Sequence, residues 1–211
     1  DVGDDFICRD AMVSSPDQLF AEGEVPEDGE YFALHSNGRI AARGEVLAGK
    51  AVGPWTFWWE NGERHSLGNF DSEGRRAGNW TFWHDNKKKS RQGSFVAGKE
   101  QGRFKTWHVN GNQDAVTNYI YGRKEGEIET WWQNGNRKSK GDLTTELPDG
   151  EWTFWYENGN KEREGVLIGE VLDGDWTFWY ENGTKKKAGN FADGREKGQW
   201  TFWWDNGKKW R

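Results

Sequence analysis

The stretch Gly174-Asp175-Trp176-Thr177-Phe178-Trp179-Tyr180-Glu181-Asn182-Gly183-Thr184-Lys185 decides the fold. Its run from Trp176 to Tyr180 is aromatic and β-branched, which suits a pleated strand, and Asn182-Gly183 follows directly. Asn-Gly between two extended runs predicts a two-residue hairpin loop, a type I′ turn in which both central residues take positive φ. A basic strand then returns to Gly189, and Phe191 follows two positions on. In that register Gly189 lies directly across from Trp176. Its missing side chain makes room for the ring to lie over the neighbouring strand. Alternation sends Trp176, Phe178 and Tyr180 to one face and Thr177 and Trp179 to the other.

The same segment recurs on both sides. GPWTFWWENGER from Gly53, GNWTFWHDNKKK from Gly78, GEWTFWYENGNK from Gly150 and GQWTFWWDNGKK from Gly198 are close copies, and weaker ones begin at Gly29, Gly102 and Gly126. The opening glycines fall at 29, 53, 78, 102, 126, 150, 174 and 198, a spacing of 24 with a single 25. A fixed period of that size signals an array whose units touch mainly their neighbours. The expected fold is all-β, a single-sheet solenoid of about eight stacked antiparallel β-hairpins. At about 4.8 Å per strand it would form a twisted rod of roughly 75 to 80 Å. Residues 29–211 are the repeat domain and residues 1–28 an acidic N-terminal arm. One unit breaks the turn signal: Asn86-Lys87 requires either a left-handed lysine or a different turn.

Composition fits an aromatic core. Leu, Ile, Val and Phe total 35 of 211 residues, too few for an ordinary core in so charged a chain. The 16 Trp, 12 Phe and 5 Tyr supply what is missing, since each buried ring removes about 150 to 250 Å² from water. The arm holds 9 acids and 1 base, leaving 26 acids and 28 bases in the repeats. A nearly neutral body has no wide positive field, which argues against nucleic acid as a partner. No apolar run approaches the roughly 20 residues of a membrane-spanning helix. The single Cys8 makes no internal disulfide, and no zinc-type Cys/His spacing occurs. A start at Asp1 suits either a removed signal peptide or a boundary of the sequence chosen within a longer chain, and with the polar arm it favours a bacterial periplasm, cell envelope or secreted setting, with the cytoplasm as the alternative.

The pattern Gly-x-Trp-x-x-Trp/Tyr-x-x-Asn-Gly, followed by Gly-x-aromatic and a further Gly, resembles the bacterial variant of the MORN (membrane occupation and recognition nexus) repeat, of the kind found in YwqK-like antitoxin proteins. It covers residues 29–211. The resemblance implies stacked β-hairpins used for protein association or scaffolding, in some cases for lipid binding, and carries over no catalytic residue.

The expected function is accordingly non-catalytic: a protein-binding or scaffolding chain without cofactor or metal, its partner another protein or a larger assembly. The rival is a ligand-binding module that uses an aromatic ribbon on carbohydrate or membrane-surface lipid. That ribbon would be the seventh position of each unit, Trp59, Trp132, Tyr156, Tyr180 and Trp204, with His35, His84 and His108 elsewhere. As the main core material, these rings are expected to pack among themselves, opposite Arg64, Lys89, Arg137, Lys161 and Lys185 in cation–π geometry. His84 and His108 lie one unit apart, about 10 Å, too far to share a zinc ion. Lysine runs at 87–89 and 185–187 are offset by acids before each turn, so a membrane surface is not favoured. No unit holds a distinctive acid, base and nucleophile set, and the sequence offers no local signature of a base that would activate Cys8.

Two departures mark candidate contact sites. Thr106 and Thr130 replace the phenylalanine of other units, opening a notch in the aromatic face flanked by Phe82 and Phe154. The last hairpin reaches only Lys208-Lys209-Trp210-Arg211, leaving a strand edge, with Trp210 on it, as an association surface. The arm, with Phe6, Ile7, Met12, Val13, Leu19 and Phe20, is expected to cover the edge of the first hairpin.

Overall fold

The computed structural model describes residues 26–210 and the backbone of Cys8–Arg9. Contacts divide the chain into two compact units, 1–101 and 102–211, the second starting at the opening glycine of the fourth repeat. The first holds β1 (Cys8–Arg9), β2 (Gly29–Leu34), β3 (Ile40–Leu47), β4 (Lys50–Trp58), β5 (Arg64–Phe70), β6 (Arg76–Trp83) and β7 (Lys89–Val96). β8 (Lys99–Trp107) carries the boundary. The second continues through β9 (Gln113–Ile120), β10 (Arg123–Trp131), β11 (Arg137–Thr144), β12 (Leu147–Trp155), β13 (Lys161–Ile168), β14 (Val171–Trp179), β15 (Lys185–Ala192) and β16 (Arg195–Phe202). The strands follow one another in the sheet in chain order, the sheet does not close, and no helix occurs among the described residues. Pairing within each unit is antiparallel save for β1, which runs parallel to β2 with Cys8 beside Phe32 and Arg9 beside Ala33. That pairing occupies the outer edge of β2, as expected of the arm. The arm's apolar residues lie outside the described residues.

The Asn-Gly loops correct the expected turn. Gly183 donates its N–H to the Tyr180 carbonyl, and Tyr180 donates to the Thr184 carbonyl, both at 2.9 Å. Gly183 has φ +85°, whereas Asn182 is not left-handed. This is a three-residue loop, a β-turn closed by one left-handed residue, rather than a type I′ turn. Yet Trp176 does face Gly189. The reason is a bulge: Phe178 pairs with Lys187 but Trp179 pairs with Lys185, so the extra Lys186 cancels the extra loop residue. Lys87 takes the glycine's place in its unit at φ +71°, with the same turn bonds. True two-residue loops sit at the opposite strand ends, as in Ala48-Gly49 and Thr145-Glu146, where both residues have positive φ.

The glycine stacking also needs a correction. The ring over each strand glycine belongs to the next unit: a Cβ on Gly165 would meet the Trp176 ring at 2.4 Å, although Gly165 pairs in register with Trp152. Gly44 and Trp55, Gly68 and Trp80, Gly141 and Trp152, and Gly189 and Trp200 repeat the arrangement. Opposite each glycine the ladder slips, as between Glu164↔Thr177 and Val166↔Asp173, with the opening glycine Gly174 at φ +66°. The slip leaves carbonyls without ladder partners, and the indole supplies one: Trp176 Nε1 donates to Val166 O at 3.0 Å and Asp173 O at 3.1 Å. Where the fifth repeat starts with Ile128 instead of tryptophan, the residue facing it from β9 is Thr117, not glycine.

These rings make an apolar face in each unit. In the second unit Leu143, Trp152, Leu167, Trp176 and Phe191 are buried, with Phe154, Phe178 and Trp200 packed on them. In the first, Trp55, Phe57 and Trp80 are buried, and Phe70 meets Trp80 edge-on at 5.1 Å.

Candidate functional site

Six of the seventh-position residues tie one unit to the next. Just past the bulge, Trp59, Trp132, Tyr156, Tyr180, His35 and His108 are half-buried side chains whose polar ends reach the sixth-position carbonyl of the next unit. Trp59 Nε1 donates to Trp83 O at 3.2 Å, Trp132 Nε1 to Trp155 O at 3.0 Å, Tyr156 Oη to Trp179 O at 2.9 Å and Tyr180 Oη to Trp203 O at 3.0 Å. His35 and His108 place Nε2 at 2.9 Å from Trp58 O and Trp131 O. Three residue types thus fill one role, which explains why the position tolerates Trp, Tyr and His. Burial, with the Glu162 and Glu181 charges adding to it, raises the Tyr156 phenol above its ordinary 10.0. Trp204 and Trp210 are more open, with rings 5.3 Å apart.

The expected cation partners belong elsewhere. Arg64, Lys89, Arg137, Lys161 and Lys185 pair in register with the sixth-position tryptophans Trp58, Trp83, Trp131, Trp155 and Trp179. Four of them lie over the next indole along: Arg64 over Trp83 at 5.4 Å, Arg137 over Trp155 at 5.3 Å, Lys161 over Trp179 at 5.5 Å and Lys185 over Trp203 at 5.8 Å. The extra loop residue moves them one position from where a two-residue loop would set them, and the bulge then restores the register. Seventh-position rings receive other lysines, Lys138 over Trp132 at 4.6 Å and Lys186 over Tyr180 at 5.4 Å.

The turn asparagines join one unit to the next. Asn158 Oδ1 accepts from the Asn160 N–H at 2.9 Å, and its Nδ2 donates to Glu181 O at 2.7 Å. Asn37, Asn61, Asn134 and Asn182 donate likewise to the next turn. Their chemistry is that of an Asx turn plus a ladder, not of left-handed backbone.

The notch positions satisfy their own hydroxyls. Thr106 Oγ1 donates to Asp114 Oδ2 at 2.9 Å, and Thr130 Oγ1 lies 2.6 Å from Ser139 Oγ. Of the flanking rings, Phe154 stacks on Trp152 at 5.7 Å in the second unit and Phe82 on Trp80 at 5.8 Å in the first. Among the described residues no group of His, Cys, Asp and Glu could hold a metal ion.

What the sequence reading missed is an exposed apolar row at the tight-turn edge of the second unit. Ile120, Tyr121, Leu147, Ile168 and Val171 are 45% to 68% exposed. Ile120 pairs with Arg123, Leu147 with Thr144 and Ile168 with Val171, each flanking a two-residue loop. Leu167 faces the core and Ile168 follows it, so alternation turns Ile168 to the opposite face. Part of the signal was present in the sequence as a second apolar residue after the closing one in some units, as in Leu167-Ile168 and Tyr119-Ile120.

In the first unit a cleft of about 370 Å³ is lined by Trp58, Gly62, Glu63, Arg64, Trp83 and Lys87. Lys87 Nζ pairs with Glu63 at 3.0 Å and is 72% exposed.

Residues 148–167 and 172–193 each match the MORN repeat variant, and the two matches correspond to the hairpins β12–β13 and β14–β15. A comparison with curated proteins finds no match. The chain therefore carries repeats of MORN type, a repeat-type binding module rather than an enzyme family, commonly associated with protein or membrane-lipid binding.

Proposed function

We propose that this chain is a non-catalytic scaffold of the bacterial, YwqK-like kind that binds another protein. The observation that carries the reading is the apolar row Ile120, Tyr121, Leu147, Ile168 and Val171. A row of aliphatic side chains beside one another on successive turns gives a partner apolar area to bury, and such patches on soluble chains mark association sites. The rival, an aromatic ribbon for a ligand, has less support, because Trp59, Trp132, Tyr156 and Tyr180 already spend their polar ends on neighbouring carbonyls. The notch at Thr106 and Thr130 is a second, smaller candidate contact. The test is affinity capture from extract of the source cell with the full chain and with the variant Tyr121→Ser/Leu147→Ser/Ile168→Ser. A protein bound saturably by the first and lost from the second, with unchanged circular dichroism, is the expected result. The same proteins on both would overturn the assignment.

A further inference from the structure

Lys87 is the exception at the closing position of the three-residue loops. Every other Asn-Gly loop spends a glycine at this left-handed position, and here a lysine holds φ +71°. A left-handed lysine is strained, and strain kept at a surface turn invites the question of what the side chain does there. Lys87 lines the cleft that Trp58, Glu63, Arg64 and Trp83 also form, with its ammonium group 3.0 Å from the carboxylate of the lining residue Glu63. The Arg64 guanidinium carbon lies over the Trp83 ring at 5.4 Å from its centroid, and no acidic side chain among the described residues pairs with it in an ion pair. By contrast, its counterparts Arg137 and Lys161 face Glu129 and Glu164.

From this geometry we infer that the cleft binds a side-chain carboxylate of an acidic segment in a protein partner, with a neighbouring apolar side chain seated between the two indoles. The inference rests on the protein-binding reading above and gives it a second, chemically specific contact. The guanidinium on Trp83 is pre-oriented, and its planar fork suits the two oxygens of a carboxylate. Lys87 supplies a second cation from the turn, and binding releases it from Glu63. Charge selects the ligand. Two cations and the Glu63 carboxylate leave one net positive charge in the lining, which matches a carboxylate, while a phosphate dianion would meet Glu63 uncompensated. The indole faces take up apolar area beside it.

The probe is the capped tripeptide Ac-Phe-Asp-Phe-NH2, titrated into the full chain while the indole N–H resonances of Trp58 and Trp83 are followed. Its neutral counterpart Ac-Phe-Asn-Phe-NH2 and inorganic phosphate are the controls. The aspartyl peptide should shift both resonances saturably and bind about tenfold more tightly than the asparaginyl one, the worth of one charge-assisted pair. Arg64→Gln should abolish the difference between the two peptides. Lys87→Gly, which restores the consensus turn, should lower affinity roughly threefold to tenfold without loss of fold. Equal binding of the two peptides, tighter binding of phosphate, or an Arg64→Gln chain that still discriminates would each overturn the inference. A partner protein captured equally by the wild type and Arg64→Gln would overturn it too, while leaving the scaffold reading intact.

Discussion

Gly165→Ala tests the physical basis of the fold. A methyl group there would sit 2.4 Å from Trp176 Cδ2, 2.5 Å from Cε2 and 2.6 Å from Cγ. Carbon atoms rest about 3.5 to 4.0 Å apart, so the ring must retreat by an ångström or more. Trp176 is only 1% exposed, and its position also aims Nε1 at the Val166 and Asp173 carbonyls. Overpacking of this kind costs roughly 1–3 kcal/mol. Loss of the indole bonds, leaving buried polar groups unsatisfied, adds about 1–3 kcal/mol. The expected destabilisation is therefore about 2 to 6 kcal/mol. Gly165 has ordinary negative-side backbone, so the alanine itself is unstrained and would otherwise stabilise by about 0.4–1 kcal/mol through the unfolded chain.

The double-mutant cycle isolates the contact. Trp176→Ala alone should cost about 3–5 kcal/mol. In that background Gly165→Ala should be neutral or slightly stabilising, giving a coupling of roughly 3 kcal/mol. Because a repeat array can open locally, the free energies are best read from native-state hydrogen exchange of β13 and β14 amides, with denaturant unfolding as a check. A cost below about 1 kcal/mol, or the same cost with and without Trp176, would refute the reasoning.

Lys87→Gly should raise stability by up to about 1 kcal/mol in urea denaturation, since relief of a left-handed residue outweighs unfolded-state entropy and an exposed ion pair. Glu146→Gly, at φ +69°, should act in the same direction by a similar amount, again read from the urea midpoint. Asn158→Ala removes the bonds to the Asn160 N–H and Glu181 O and should cost about 1–2 kcal/mol, visible as faster exchange of the flanking turn amides. Tyr156 has a raised pKa, so the stability it lends is complete below its unfolded value of 10.0 and is lost as pH rises through the higher folded value. Alkaline unfolding followed at the phenolate band should shift in Tyr156→Phe, and identical alkaline transitions in both chains would count against that role. Asp71 is lowered, first by the Arg75 N–H, so its loop should hold above the ordinary value of 3.8 and loosen as pH falls through the lower folded value.

The period and the glycine–tryptophan register were legible in the sequence, and the turn was not. Asn182-Gly183 reads as type I′ because that turn commonly uses this pair. The structure keeps the predicted partner Gly189 for Trp176 by two offsets of opposite sense, one extra residue in the loop and one in the bulge at Lys186. Side-chain alternation cannot distinguish the two solutions, since both put Trp176 and Phe178 on one face. They differ only beyond the bulge. That is where the sequence reading assigned Lys185 to Tyr180 rather than to Trp179. The asparagine was read as a backbone signal, and its ladder to Glu181 or Asp205 escaped notice because the acceptor lies one whole unit away.

Ile128 and Thr117 show why the aromatic core works with so few aliphatic residues. In most units an indole lies on a glycine of the preceding strand, so the ring covers peptide backbone directly. The N–H groups of Trp55, Trp80, Trp152 and Trp176 bond carbonyls in the gap the ladder leaves, while Trp200 Nε1 is buried without a hydrogen-bond partner among the described residues. The fifth repeat loses both halves together: Ile128 replaces the tryptophan, Thr117 faces it in place of glycine, and Ile128 remains only partly buried. Tryptophan over glycine is thus one packing unit, not two composition biases. A single sheet has no second layer to bury its face, and an ordinary aliphatic side chain standing upright on it would stay half wet. Rings laid flat along the sheet bury themselves against the strand below, which is how a chain with 35 Leu, Ile, Val and Phe residues among 211 keeps a core at all.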